Sequence, residues 1–142
     1  MALTPDNVTE LLDDYLAEEE EGQAIEPSKT YRINFDGTNR LTGMVDDLDA
    51  VKQFSRKALI TSRSHFLIYT DDYGCELEDL IGQDVTDAFL ESEVPRMVRE
   101  ALIYDDRIIE VNNIRLRREG DALFVALTVI SIFGDYTQEV RL

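Results

Sequence analysis

Ala122-Leu123-Phe124-Val125-Ala126-Leu127-Thr128-Val129-Ile130-Ser131-Ile132-Phe133 is a nearly unbroken apolar run that leads through Gly134-Asp135 into Tyr136-Thr137-Gln138-Glu139-Val140-Arg141-Leu142. Its twelve residues fall short of the roughly 20 needed to span a bilayer as a helix. Thr128 and Ser131 interrupt it, and turn residues bound it at Glu119-Gly120-Asp121 and Gly134-Asp135, so it predicts a strand. Apolar side chains on both faces of Leu123 to Ile132 predict a central strand, covered on each side by helix or partner. Upstream, Ile108 to Arg117 and the turn Glu119-Gly120-Asp121 supply a preceding strand. Downstream, Gly134-Asp135 turns the chain into a last one, Tyr136 to Leu142. The expected unit is an antiparallel meander whose final strand is an edge.

The preceding segments supply the layer that covers this sheet. Thr30-Tyr31-Arg32-Ile33-Asn34-Phe35 alternates with period two and meets Asp36-Gly37 before Arg40-Leu41-Thr42-Gly43-Met44, which predicts a hairpin. Leu48, Val51, Phe54, Ser55, Ala58 and Leu59 form a helical stripe, with Asp46 or Asp47 placed to cap it. Phe66 to Tyr69 reads as a short strand, so this helix is expected to cross between strands. From Thr86 onward, Phe89, Leu90, Val94, Met97, Val98, Ala101 and Leu102 predict a second helix. Pro95 within it is expected to mark a first turn or a kink, dividing the segment in two, because proline lacks the amide donor and clashes one turn back. The fold class is therefore α+β, an antiparallel sheet with a C-terminal meander packed on two main helices.

The charge is uneven. The chain of 142 residues carries 30 acids and 14 bases, net −16. Residues 1–29 hold nine of the acids and one base, Lys29. Val8, Leu11, Leu12, Tyr15 and Leu16 recur at helical spacing, with Asn7 and Glu10 as a capping box. Glu18-Glu19-Glu20-Glu21, Gly22 and Pro27 then read as a linker. The expected division is an acidic helical arm at 1–29 and a folded domain at 30–142. That arm either folds back on its own domain or docks its stripe in a partner's groove.

This charge opposes binding to nucleic-acid backbones and anionic membranes and favours basic protein partners. Met1-Ala2-Leu3-Thr4-Pro5-Asp6 lacks the basic and apolar regions of a secretory signal, so a cytoplasmic protein is expected. Catalytic signals are sparse. Cys75 has no second cysteine and no clustered histidine near it, so it reads as a small buried apolar residue. His65 stands in Ser62-Arg63-Ser64-His65-Phe66 without a nucleophile or base beside it. No phosphate-cradling glycine loop or metal-spaced cluster is present, so no metal or cofactor is expected. Thirty acids supply carboxylate pairs for a glycoside hydrolase, yet none is singled out and no tryptophan lines a sugar cleft.

Three motifs carry a family resemblance: Tyr73-Gly74-x-Glu76-Leu77-x-x-Leu80-x-Gly82, Leu102-Ile103-Tyr104-Asp105-Asp106-Arg107-Ile108, and Val129-Ile130-Ser131-Ile132-Phe133-Gly134-Asp135. Together they resemble the XkdS-like baseplate proteins of contractile phage tails and defective prophages, relatives of the lysozyme-like baseplate wedge family. The resemblance covers roughly residues 28 to 140. It implies a noncatalytic wedge or sheath-initiator subunit, assembled in the host cytoplasm into the tail baseplate. Wedge proteins and the tail sheath protein are the implied partners, with tube or hub proteins as further neighbours. In the wider family a Glu-Pro-Arg tripeptide between the last helix and the next strand contacts the wedge core. Asp105-Asp106-Arg107 matches it here without the proline, and the bland counterpart is a loop in which Arg107 pairs with a local carboxylate. The edge strand, with Gln138 or Glu139 presenting the outward backbone donor, is the implied docking place for a sheath strand. Gly74 and Gly82 are expected to adopt backbone conformations barred to other residues, with Leu77 and Leu80 as anchors. Two rival readings remain: an acidic inhibitor imitating nucleic acid, and a peptidoglycan-cleaving lysozyme-like enzyme.

Overall fold

The computed structural model describes residues 28–38 and 40–142, so the expected helix and linker before Ser28 lie outside the described residues. A hairpin comes first, β1 (Thr30–Ile33) and β2 (Leu41–Val45), paired antiparallel with Tyr31 opposite Met44. Helix α1 (Asp47–Ile60) follows, capped by Asp46, whose side chain accepts from the Asp47 amide. Gln53 on α1 holds the hairpin by its backbone. Its Oε1 accepts from Ile33 N (2.8 Å) and its Nε2 donates to Tyr31 O (2.7 Å), so a side-chain amide substitutes for a strand partner.

Between α1 and the second helix the chain forms a loop instead of the short strand expected at Phe66–Tyr69. Phe66, Leu67 and Ile68 are 52%, 106% and 84% exposed, and Tyr69 N closes a turn on Phe66 O. An apolar run with no facing strand has no ladder to join, and hydropathy alone cannot supply one. The crossover of α1 between strands is lost with it. The loop is tied down next to Gly74, by Cys75 N to Thr61 O (2.8 Å) and Arg63 N to Cys75 O (3.1 Å). Gly74 has φ +103°, and a Cβ there would lie 2.7 Å from the Thr61 carbonyl oxygen, so both conformation and space require glycine. Gly82 likewise has φ +80°. Leu77 and Leu80, on a 3₁₀ turn (Leu77–Leu80), are buried and anchor the loop as expected.

Helix α2 (Asp87–Leu102) is capped by Thr86, whose hydroxyl accepts from Phe89 N. It runs unbroken through Pro95. Interior proline costs about 3 kcal/mol, but Leu90, Val94, Met97, Val98, Ala101 and Leu102 are all buried on one stripe, each large one contributing ~1.5–3 kcal/mol. Burial outweighs the lost hydrogen bond, so the expected division in two does not occur.

Strands β3 (Ile108–Glu119), β4 (Ala122–Ser131) and β5 (Gly134–Arg141) form the meander in the order β3-β4-β5, so β4 is central and β5 an edge, as expected. The second turn sits one step earlier than the sequence suggests. Ser131 pairs with Gly134, leaving Ile132-Phe133 as the two-residue loop, and the Ser131 hydroxyl donates to Gly134 O (2.6 Å). Burial alternates along β4. Leu123, Val125, Leu127 and Val129 lie in the core with residues of both helices, whereas Phe124, Ala126, Thr128 and Ile130 face outward, half-buried. The helices thus form a single layer. On the outer face the guanidiniums of Arg117 and Arg141 lie over the Phe124 ring (4.3 and 5.9 Å), so flanking side chains shade it in place of a second helix. A bulge interrupts β3 between Asn112 and Arg115, where Asn113 takes φ +52°.

Candidate partner-binding site

A cleft of about 560 Å³ is bounded by the start of β1, by α1 and by the loop after α2. Its walls include Phe54, Tyr73 and Tyr104, packed edge to face with ring centroids 6.2 and 6.3 Å from Phe54. Asp105, Asp106 and Arg107 form its rim. The loop folds this way because Asp105 turns back on Arg107. Its Oδ1 accepts from Arg107 N (3.0 Å) and Nε (2.9 Å), and its Oδ2 accepts from Nη2 (2.7 Å). Arg107 also stacks over Phe54 at 5.3 Å, and its carbonyl accepts from Ile132 N (3.0 Å), binding the loop to the β4–β5 turn. Of the three motif residues, Asp105 and Arg107 are thus a local pair, 13% and 17% exposed, while Asp106 is without an ion-pair partner among the described residues.

Electrostatics at the cleft favour recognition over acid–base chemistry. Burial pushes the Asp105 carboxyl upward, but hydrogen bonds and charge from Arg107 outweigh it and hold the group below its ordinary value. A glycosidic general acid needs the opposite shift. Tyr73 is raised well above the usual phenol value, first by burial and then by Tyr69 and Tyr104. Its hydroxyl lies near Thr61 but makes no well-formed hydrogen bond among the described residues. Cys75 is 1% exposed with its thiol also raised, chiefly by burial, and touches Met97 O at 3.6 Å, which fits a packing role. His65 is exposed, 3.9 Å from an Asp79 oxygen.

The two edge residues singled out on β5 part company. Odd residues of β4 bond toward β5, as the reciprocal Leu123–Leu142 backbone pair shows (2.8 and 3.1 Å). By the alternation of antiparallel ladders, Gln138, opposite Leu127, points its N–H at β4, and Glu139, opposite Ala126, points its N–H out of the sheet. Gln138 is also held by its side chain. The Tyr136 hydroxyl donates to Ser55 Oγ (2.8 Å), Ser55 donates to Gln138 Oε1 (2.7 Å), and Gln138 Nε2 donates to Lys52 O (3.2 Å). Tyr136 is pushed up to about 12, mainly by burial. Ser55 stood on the α1 stripe in the sequence as an apparent polar intruder; its partners 81 and 83 residues away had no local signal. The open edge therefore consists of Asp135, Thr137, Glu139 and Arg141, all exposed.

The molecule is thus a two-layer α+β domain with an open meander edge and an aromatic cleft rimmed by a paired Asp and Arg. Residues 29–134 match the model of the contractile injection system sheath initiator family, and the chain belongs to that family. It is 38% identical over 130 residues to the phage-like element PBSX protein XkdS of Bacillus subtilis (strain 168), covering 91% of this chain and 88% of that one. It is thus an XkdS-like protein of the contractile tail baseplate, with a structural place among baseplate and sheath components. The fold also resembles a crystal structure described as a tail lysozyme from Geobacter sulfurreducens, with TM-score 0.55 and 20% identity over 66% of this chain and 87% of the other. That likeness shows the shared fold. Among the described residues, no helix is long and apolar enough to cross a membrane, and no group of acidic, histidine or cysteine side chains could hold a metal ion.

Proposed function

We propose that this protein is a noncatalytic wedge subunit that docks on the baseplate core through the Asp105-Asp106-Arg107 rim and starts sheath assembly at the β5 edge. The observation that carries the reading is that edge: eight residues, about 27 Å at ~3.4 Å per residue, with its outward backbone groups unpaired among the described residues. A strand of five or six residues from a sheath subunit fits such a length and would gain affinity from main-chain hydrogen bonds. Asp135, Glu139 and Arg141 place charge along it, which discourages indiscriminate pairing while leaving the ladder groups free. At the rim, Arg107 Nε and Nη2 are engaged by Asp105, leaving Nη1 and the Asp106 carboxylate to meet a partner. Assembly takes place in the host cytoplasm, before the finished tail carries the protein in its baseplate.

Proline at Glu139 tests the edge, because it removes an outward donor and no internal one. In a reconstituted assembly reaction the Glu139→Pro protein should join baseplates that then fail to elongate sheath. Normal sheath growth on a folded Glu139→Pro protein would remove strand addition at this edge.

A further inference from the structure

The hairpin and α1 form a basic face on an acidic protein. Seven of the fourteen bases lie in residues 29–63, against four acids. Lys29, Arg32, Lys52, Arg56 and Lys57 make no ion pair among the described residues. Three of them lie over rings: Arg56 over Phe35 (4.6 Å), Lys57 over Tyr69 and Tyr73 (5.1 and 5.6 Å), Lys52 over Tyr136 (5.7 Å). Lys29 and Lys57 line the aromatic cleft, while Arg32, Lys52 and Arg56 line an adjoining groove of about 530 Å³ that shares Ile33 and Gln53 with it. Elsewhere, Arg96, Arg107, Arg117 and Arg118 have carboxylates within 4 Å, while Arg99, Arg115 and Arg141 are spread singly over α2, β3 and β5 without one. Asp36 and Asp49 also line the groove, yet neither comes within ion-pair distance of these cations, so the face favours an acidic occupant.

We infer that the occupant is the protein's own N-terminal arm, seated in cis. The described chain begins at Ser28, and Ser28, Lys29 and Thr30 are themselves part of the cleft wall. Eleven residues separate Leu16 from Ser28, a reach of up to ~40 Å, so the stripe of Val8, Leu11, Leu12, Tyr15 and Leu16 can lie anywhere along the cleft. The stripe supplies apolar side chains to Phe54, Tyr73 and Tyr104. The arm's nine acids supply the charge that the basic face lacks. Asp105 offers little repulsion because Arg107 neutralises it, and Asp106 sits at the rim. Tethering raises the local concentration of the arm to the millimolar range, which favours cis seating over capture by a second copy. The proposal stands whichever tail protein later meets the cleft, but such a protein must displace the arm to reach it.

Hydrogen exchange on the full chain tests this. Amides 8–16 should exchange about tenfold more slowly than in a free peptide of residues 1–27, the protection of an arm seated roughly nine-tenths of the time. It should be independent of protein concentration and weaken in molar salt. Reversing the face with Lys52→Glu, Arg56→Glu and Lys57→Glu should abolish it. The charge-matched Arg115→Glu, Arg117→Glu and Arg141→Glu protein, reversed on the opposite side of the sheet, should keep it, both proteins being checked for native circular dichroism. Unprotected amides in the unaltered chain, equal protection in both variants, or protection that rises with concentration would each overturn the inference.

Discussion

Replacing Arg107 with alanine should weaken the fold as well as the rim, by an amount the geometry allows to be worked out. The guanidinium makes two charge-assisted bonds to Asp105 at 2.9 and 2.7 Å, with both side chains under one-fifth exposed. Breaking a fully buried pair costs ~3–5 kcal/mol. This one is less costly, because the Asp105 carboxylate keeps the Arg107 backbone N–H at 3.0 Å, which alanine also supplies. A loss of ~2–3 kcal/mol for the pair, with ~0.5–1 for the stacking on Phe54, gives about 3 kcal/mol in all. At roughly 4 °C per kcal/mol for a domain of this size, the melting temperature should fall by about 12 °C. That leaves a folded protein at 25 °C if its stability lies in the usual ~5–15 kcal/mol range, so binding to the wedge can be measured per folded molecule. The effect should depend on pH. The Asp105 carboxyl is depressed in the folded state, so the pair stabilises fully above the unfolded value of ~3.9 and is lost as pH falls through the lower folded value. Thermal melts at pH 7 and at successive acid steps should show the gap between parent and variant closing in strong acid. A variant that melts within about 3 °C of the parent at pH 7, or a gap that persists unchanged in acid, would refute this account.

Gly74→Ala should destabilise by about 3 kcal/mol or more, read as a shift in urea midpoint, since it combines a disfavoured positive φ with a 2.7 Å approach to Thr61 O. Gln138→Pro should cost several times more stability than Glu139→Pro, because it removes an internal ladder bond and the Ser55 and Lys52 contacts, each ~1 kcal/mol with the stranded groups adding more. Equal losses at the two positions would show that the ladder alternation is misassigned. Purified protein should release no fragments from peptidoglycan; turnover abolished by one Asp→Asn or Glu→Gln change in a folded protein would establish an enzyme.

Periodicity revealed the hairpin, both helices, the meander and its central strand, because each buries a patterned face. A cap at Asp46 or Asp47, and glycines at 74 and 82, were legible for the same reason: local geometry admits few residue types. Failures came where distant contacts decide. Pro95 argued for a break that six buried side chains override, and Phe66–Ile68 argued for a strand that nothing faces. Asp105-Asp106-Arg107 was found by motif, but its pairing within the loop required coordinates. The basic face was hidden in the −16 total, since only folding brings Lys29, Arg56 and Lys57 beside the same hairpin.

The hydrogen-bonded chain from Tyr136 through Ser55 to Gln138 gives β5 a single phase relative to α1. Sliding the strand by one residue would swing Tyr136 and Val140 to solvent and put Thr137 and Glu139 against the helix, so no slipped alternative competes. Any chain that adds to this edge meets a ruler already fixed in place, and its own alignment is copied from it. The ordering entropy of the first strand was met when the monomer folded, so an arriving strand need lose only its own freedom. A half-buried side-chain amide held against one helix therefore sets the register that a strand added at this edge, as proposed above, would copy.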